Sequence, residues 1–440
     1  MEPPSQSKQV FATLRAPARW LARDPLLQNR NFMQFWTSSA LTSFGSQISM
    51  LALPLTAVTL LGASPAQMGV MVALETIPFA LFSLHAGVWI DRNRKLPILL
   101  ASQILIGLIL LTVPALAWYG RLSMGYLYCV AFTLGLSFVV TGTAAQVFLT
   151  QLVGRTHLID ALARFTGTDS AAKLVGPGVA GSLIHWLGAP FAIAFDAFAF
   201  FISYFLLRKI RTDETRPALR DDSTMWNEIK EGWQVVRESA TLWSLAIGAA
   251  LWQLLFQGYQ ALVMIFAARD LGLGAGQIGA AHMIGGIGAL LAAVSAKRIT
   301  RRLGMGPPIL IGLGITALAW LVLAVIPGGK SHAFVTLAGS LALLDFGITL
   351  YVIHYLSLRQ AVTPDALLGR MTATMRFLSV AAAPLGALLA GQLGEHFGLR
   401  TALAACGIGC TVLFIALWSF SPVRAIRATH FHAPALQTQA

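Results

Sequence analysis

The sequence predicts an all-α membrane protein with twelve transmembrane helices arranged as two related six-helix bundles. The 440 residues are 56% hydrophobic and 11% charged, with a mean hydropathy of +0.70, whereas soluble domains carry roughly 25% charged residues. Twelve apolar runs reach the length of about 20 residues that a helix needs to cross a bilayer. The basic residues lie almost entirely on one side of these runs, as the positive-inside rule requires.

The apolar runs fall into two sets of six. The first set covers residues 32–61, 66–90, 96–118, 122–150, 164–187 and 189–208, and the second 241–268, 275–296, 307–327, 332–358, 371–397 and 399–420. Each run should be helical, because backbone groups must be hydrogen-bonded inside lipid. We divide the chain into a tail (1–31), a first bundle (32–208), a linker (209–240), a second bundle (241–420) and a second tail (421–440).

The basic residues orient these spans. With both ends in the cytoplasm, 26 of the 31 Lys and Arg fall on the cytoplasmic side, four fall outside, and Lys173 falls within a span. The net charge of +13 would suggest nucleic acid in a soluble protein. Here the placement of the cations indicates lipid headgroups as their partner, so we expect no nucleic acid.

The linker has two parts. Its first part is polar and charged, whereas Trp226, Ile229, Trp233 and Val236 recur at helical spacing in the second. This spacing predicts an amphipathic helix that lies in the cytoplasmic interface of the membrane. A docking site for a regulatory partner is the alternative.

The two halves resemble one another in sequence. Gly181-Ser-Leu-Ile-His-Trp-Leu-Gly188 is echoed by Gly391-Gln-Leu-Gly-Glu-His-Phe-Gly398. Related halves predict parallel bundles about an axis normal to the membrane, with a substrate path between them.

Four charges are packed into the short gap between the second and third spans: Asp91, Arg92, Arg94 and Lys95. An acid at the C-terminal end of a helix is unfavourable to the helix dipole, so Asp91 should face an Arg or another helix N-terminus. Gly87, one turn earlier, would let that neighbour approach closely. The alternative is an ordinary basic turn that sets topology.

Ionisable groups inside the spans are functional candidates, because burying them in lipid is costly. Glu75 has no opposite charge in its own helix and could exchange a proton near neutral pH, or be a hydrogen-bonded structural acid. Asp169 and Lys173 stand four residues apart and should neutralise one another. The others are Asp345, which suits a cavity or a packing contact, Asp196, which we expect to be structural, and His282 and His354, which suit satisfied polar groups or proton relays.

The fifth span contains Gly176-Pro177-Gly178-Val179-Ala180-Gly181. Proline removes a backbone hydrogen bond and bends a helix, and the glycines allow close packing. This pattern predicts a kink, either a plain membrane kink or a functional one. The three cysteines, Cys129, Cys406 and Cys410, lie in apolar spans without a metal-binding pattern.

The turn Gly-x-x-x-Asp-Arg-x-Arg-Lys at 87–95, with Ser357–Asp365 and Leu368–Phe377, resembles the major facilitator superfamily. The similar branch holds bacterial efflux proteins such as enterobactin and macrolide exporters. The resemblance implies the major facilitator fold, alternating access, and export driven by the proton gradient without a cofactor. It also implies a bacterial inner membrane location.

The same resemblance assigns roles at the cytoplasmic side. Asp91 would be a conformational latch, with Arg92, Arg94, Arg370 and Arg376 as gate partners. The Gly-Pro segment at Gly176 resembles the helix 5 motif of antiporters, although the preceding glycine spacing differs. Many relatives carry an Asp in helix 1 after Ser-x-x-Gly, but residues 42–46 hold no acid here, which moves the predicted coupling acid to Glu75.

The leading hypothesis is a proton-coupled antiporter that exports amphipathic small molecules as a monomer. Few fixed charges and many Phe, Trp and Met residues suit a lipophilic neutral or cationic substrate. A solute importer or uniporter of the same fold and a non-transporting membrane sensor are the alternatives. A membrane enzyme would need acid, base or metal groups clustered at one depth, and the spans offer no such cluster.

Overall fold

The computed structural model describes residues 25–154, 156–212, 223–326, 330–364 and 367–426, and these ranges contain helices and no strand. The first half holds α1 (Arg30–Thr59), α2 (Pro65–Arg92), α3 (Lys95–Trp118), α4 (Met124–Val153), α5 (Leu158–Leu187) and α6 (Ala189–Arg208). A separate helix, α7 (Ser223–Glu238), lies in the predicted linker. The second half holds α8 (Ala240–Ile265), α9 (Ala275–Leu303), α10 (Pro307–Val325), α11 (Lys330–Ala361), α12 (Leu368–Ala381), α13 (Ala383–Phe397) and α14 (Leu399–Phe420).

These helices give twelve crossings and confirm the predicted all-α fold. Eleven crossings are long and apolar enough to span a membrane by length and composition. The helices α12 and α13 form a single crossing, interrupted at Ala382 just before Pro384. The twelfth crossing is α5, which is 30 residues long but less apolar, because it carries the charged residues Asp160, Arg164, Asp169 and Lys173.

Polar caps and glycine turns set the helix ends. The side chains of Ser64, Ser123 and Ser239 each accept a hydrogen bond, 3.3 Å long, from the backbone N–H three residues later, as N-cap residues do. Glycines with positive φ recur at equivalent turns of the two halves: Gly62 and Gly272 at 65° and 63°, and Gly188 and Gly398 at 87°. The repeat predicted from sequence therefore extends to the backbone conformation of the turns.

The crossings are antiparallel along the chain, so Pro25 and Ile426 lie on the same side. We call this side the terminal face and the opposite side the distal face. In the first bundle α1 packs against α5 and α6, α3 against α6, and α2 against α4; in the second, α11 packs against α9 and α10, and α14 against α10. Two helix pairs supply most of the contact between the bundles: α5 with α9, and α2 with α13. Helix α8 also contacts α1 and α2, and α12 contacts α2.

Candidate functional site

The first junction between the bundles is a glycine contact between α5 and α9. A Cβ on Gly181 would lie 2.9 Å from Cα of Gly279, and a Cβ on Gly279 would lie 2.8 Å from Cα of Gly181. Carbon atoms do not approach that closely without a shift, so the two backbones can touch only because both residues lack a side chain. The contacts of α5 with α9 continue to Leu174 against Gly286, along the distal half of α5.

The second junction repeats this arrangement between α2 and α13. A Cβ on Gly69 would lie 3.0 Å from Cα of Gly391, and a Cβ on Gly391 would lie 2.9 Å from Cα of Gly69. Gly181 and Gly391 are matching residues of the sequence repeat, and the structure shows that Gly69 and Gly279 match too. Each follows a turn by five residues, in Ser64-Pro-Ala-Gln-Met-Gly69 and Gly274-Ala-Gly-Gln-Ile-Gly279. Sequence reasoning singled out Gly181 but missed this second signal.

Two charged side chains of the second bundle bind helix ends of the first bundle at the distal face. Oε2 of Glu395, at the end of α13, accepts a hydrogen bond from the backbone N–H of Ala66 at 3.1 Å. Nη2 of Arg269, after α8, donates to the carbonyl oxygen of Val58 at 3.3 Å. Each charge complements the dipole of the helix end that it contacts. We call these two contacts the distal clamp. The sequence did not predict it; its one signal was that Arg269 is among the four cations expected on the outer side of the membrane.

Glu75 lies within α2, but its side chain is exposed rather than buried. Its backbone carbonyl packs directly against Gly135 of α4. Within the described part of the chain, no hydrogen bond or ion pair joins its carboxyl to another residue. The carboxyl is therefore open to solvent in this conformation although it lies deep within the protein, and the predicted absence of an ionic partner in its own helix holds. The coupling role of Glu75 stays a prediction.

Asp345 and His354 lie on α11 in different surroundings. Asp345 is half-buried beside Gly285 of α9 and interacts electrostatically with Tyr259 of α8. His354 is 2% exposed, with Nε2 at 2.8 Å from Oγ1 of Thr300 and Nδ1 at 2.8 Å from the Leu350 carbonyl. Both ring nitrogens of His354 are hydrogen-bonded, which fits the satisfied polar group among its two predicted interpretations. His282 on α9 has a bond of 2.9 Å from Nδ1 to the Ile278 carbonyl.

Asp169 and Lys173 form the expected ion pair, with Nζ at 2.8 Å from Oδ2. The side chains are 47% and 67% exposed. At 100° per residue, Val175 and Val179, also exposed, lie on average about 120° around α5 from the ion pair. Exposed valines on a membrane helix suit lipid and an exposed ion pair suits water, and the two pairs of residues lie on different sides of α5.

The Gly-Pro segment of α5 serves packing on two sides. The helix continues unbroken from Leu158 to Leu187 through Pro177. Gly176 packs against Gln47 of α1, and the Pro177 carbonyl packs against Gly279 of α9. The predicted helix 5 element therefore lies between α1 and the other bundle.

The turn at the terminal face differs from expectation at Gly87. A Cβ on Gly87 would meet no atom within 4 Å, so the expected close approach does not occur in this conformation. Asp91 lies in the last turn of α2, and its side chain is outside the described part of the structure. Arg92 and Arg94 are exposed, whereas Lys95 is 1% exposed and its Nζ donates to the Asn93 carbonyl at 2.8 Å. The latch role of Asp91 stays a prediction.

The two gate arginines of the second bundle have other partners than expected. Arg370 forms an ion pair with Glu231 of α7. The guanidinium of Arg376 lies 4.7 Å from the ring centroid of Phe79 on α2, so Arg376 does contact the first bundle, but over an aromatic ring. The helix α7 packs through Gly232 against the backbone of Arg370, and Trp233 packs edge-on against Trp243 at 5.7 Å.

Comparisons with known sequences agree on one family of proteins. A sequence model described as the Major Facilitator Superfamily matches residues 35–384. The chain is 27% identical over 349 residues to the multidrug efflux pump Tap of Mycolicibacterium fortuitum, covering 77% of this chain and 83% of Tap. It is 23% identical to an uncharacterized MFS-type transporter, YfiS of Bacillus subtilis, covering 89% and 93%.

Comparison with solved structures gives the same architecture. A bacterial homologue of the iron transporter ferroportin, in an inward-facing state, matches with a TM-score of 0.69 at 20% identity, covering 90% of this chain and all of that chain. The nucleoside transporter NupG matches with a TM-score of 0.72 at 13% identity, with coverages of 90% and 100%. Identities this low support the fold alone.

Proposed function

The chain belongs to the Major Facilitator Superfamily, and from that premise we propose that it is a proton-coupled antiporter that exports amphipathic small molecules. It is a multi-pass membrane transporter by family and fold. The observation that carries the export proposal is the similarity to Tap, a multidrug efflux pump, over 77% of the chain. We propose a lipophilic neutral or cationic substrate, exchanged for protons without a bound cofactor, by a monomer.

The inter-bundle contacts support alternating access as the mechanism. Two matched glycine junctions and the distal clamp join the bundles near the distal face. We propose that these contacts break when the distal side opens and that Asp91, Arg370 and Arg376 then help to close the terminal side. A substrate path between the bundles would thus open to one face at a time.

The charged residues of the helices supply candidate coupling and binding groups. Glu75 in the first bundle and Asp345 in the second are acids without an ion pair to any described residue, and each could hold a proton in one conformation and release it in the other. The Asp169–Lys173 pair is exposed and could contact a polar part of the substrate. A relay role for His354 would require its hydrogen bonds to rearrange.

The charge distribution supports a cytoplasmic location for the terminal face. The proposal places the protein in a bacterial inner membrane, with the basic turns at the headgroups of the inner leaflet.

A transport assay with a matched acid variant tests this function. Purified protein in proteoliposomes with an imposed pH gradient should move ethidium or another lipophilic cation in exchange for protons, followed by dye fluorescence and an internal pH indicator. Glu75→Gln should lose proton exchange, because the amide holds no titratable proton. Asp160→Asn, an exposed acid in the first turn of α5, should behave as the wild type.

The alternatives predict other outcomes. An importer or uniporter would accumulate the dye in cells that express the protein, whereas an exporter depletes it. A panel of lipophilic cations and macrolides that produces no substrate-dependent proton movement in any case would contradict the proposed antiport. If Glu75→Gln keeps the wild-type pH dependence, Glu75 is not the coupling acid.

A further inference from the structure

Asp196, a buried carboxyl of the first bundle, has no part in the pathway described above. It lies on α6 and is 1% exposed. Its Oδ2 accepts a hydrogen bond from the Ser49 hydroxyl of α1. Its Oδ1 has no hydrogen-bond partner among the described residues, and Gly45 of α1 packs directly against that oxygen.

No charged side chain of the described structure compensates the Asp196 carboxyl. Helices α1, α3 and α5 pack against α6. The charged or titratable groups that they carry are Arg30 on α1, Lys95 on α3, and Asp160, Arg164, Asp169, Lys173 and His185 on α5. None of them interacts with the carboxyl. The carboxyl is buried, and its one polar partner among the described residues is the Ser49 hydroxyl. Arg30 lies 19 residues from Ser49 along α1, about 28 Å at 1.5 Å per residue.

The free energy of burying Asp196 at this site differs greatly between its two protonation states. In the ionised form Ser49 donates to Oδ2, and half of the negative charge remains on Oδ1 without a donor. An unpaired buried carboxylate is far more expensive than a buried neutral group. In the neutral form the proton on Oδ2 is donated to Oγ of Ser49, and Oδ1 is an uncharged carbonyl oxygen packed against Gly45.

We propose that Asp196 is a proton-carrying residue, neutral in the distal-closed conformation shown here and ionised when α1 and α6 separate enough to hydrate Oδ1. The O–H bond then breaks, its electron pair stays on the carboxylate, and the proton passes to water. The inference deepens the proposed antiport, since its role in transport rests on that function. It changes the expectation for Asp196 from a structural contact to a proton site.

A continuous set of contacts links Asp196 to the junction of the bundles. α1 contacts α6 through Gly45 and Ser49, and it contacts α5 through Gln47 against Gly176. α5 in turn contacts the second bundle through Gly181. Opening of the distal junction would displace α5, and with it the wall of the Asp196 site.

A conformational assay without substrate tests the proposal. The native cysteines are replaced, and Ala73→Cys, 1% exposed between the bundles, reports distal opening by its alkylation rate in lipid nanodiscs. Rates are corrected for thiol ionisation with an exposed Ser170→Cys reporter. The corrected rate should rise with pH, because ionised Asp196 disfavours the closed state. With Asp196→Asn, which is neutral at every pH, it should stay low. An unchanged pH response in Asp196→Asn would overturn the proposal.

A second pair of variants makes the test independent of how well Asp196→Asn folds. Ser49→Ala removes the one donor to the ionised carboxylate, so the pH midpoint should move upward by about one unit, the difference between a charged and a neutral hydrogen bond. Ser203→Ala is the matched control, because its hydroxyl lies 2.6 Å from that of Ser38 across the same two helices and touches no acid. Equal midpoints for the two variants would contradict the proposal.

The assay and the proposed export can fail separately. A flat pH response would leave dye export standing, and a transporter that moves none of the tested dyes could still show the Asp196 transition.

Discussion

The acidic residues of the membrane helices differ in how far neighbouring residues bury or pair their carboxyl groups. Asp196 is enclosed because Gly45 lets α1 approach its carboxyl. Asp169 is held by Lys173 one turn later. Glu75 is exposed, although its backbone packs closely on Gly135. Depending on the neighbouring residues, the same carboxyl group is therefore a buried proton site, half of an ion pair, or a solvent-exposed group with no ionic partner among the described residues.

The distal clamp gives a prediction at the scale of single residues. Arg269→Gln combined with Glu395→Gln removes a cation from a helix C-terminus and an anion from an N-terminus. Both side chains are exposed, so each contact contributes at most about 1 kcal/mol. The corrected alkylation rate of Ala73→Cys should rise roughly fivefold to tenfold. Arg121→Gln, an exposed cation of the same face, is the control and should leave the rate unchanged; a double variant equal to the control would show that the clamp carries no energy.

Individual helices meet at glycines rather than at large side chains. Within the first bundle α2 and α4 are joined at Gly135, where a side chain would collide with the backbone carbonyl of Glu75. Within the second, Gly288 of α9 packs against Ala342 of α11 in the same way. Close backbone approach is how membrane helices gain packing energy in a solvent as apolar as their side chains.

Two substitutions on α4 test this packing. Gly135→Ala should destabilise the protein by about 1–3 kcal/mol, because backbone atoms must move to admit the methyl group. Gly142→Ala on the same helix meets no atom within 4 Å and should be neutral or slightly stabilising, since alanine favours a helix. Thermal unfolding in detergent, followed by the reactivity of the buried Cys406 and Cys410, measures the difference. Similar unfolding temperatures for both variants would show that α2 can shift without cost.

At the scale of the whole molecule, two matched glycine junctions join the two bundles. Gly69 meets Gly391 and Gly279 meets Gly181, so each bundle contributes one glycine from a helix start and one from a helix end. The terminal side has a different set of contacts, with Arg376 over Phe79 and α7 held on α12. A conformational change between the bundles must break the glycine junctions, and within the first bundle we expect it to loosen the contact of α1 with α6 at Asp196.

Enlarging one junction should therefore change conformation more than stability. Gly181→Val would force α5 away from α9, and the closed distal side should lose at least tenfold in population, about 1.4 kcal/mol. The measurement is again the alkylation of Ala73→Cys, with the unfolding temperature taken in parallel. Gly167→Ala, in open space on the same helix, is the control. A large loss of unfolding temperature with no increase in alkylation would mean that the junction holds the fold rather than the conformation.

The amino-acid sequence by itself determined the membrane class, the crossings and the relation between the halves. Composition and charge placement indicate that the helices lie in lipid, because both are properties summed over many residues. The repeat around Gly181 and Gly391 even marked half of each glycine junction, and the spacing of Asp169 and Lys173 gave their ion pair, because both are local features of a helix.

Only the tertiary structure decided which residues meet across helices. The exposure of Glu75, the enclosure of Asp196 by Gly45, the pairing of Arg370 with Glu231 and the distal clamp all join residues far apart in sequence. Helical periodicity gives the direction of a side chain relative to its own helix, but the rotation and depth of the neighbouring helix come from packing against several others at once. For that reason a membrane acid could be located along its span from the sequence, while its partner could not.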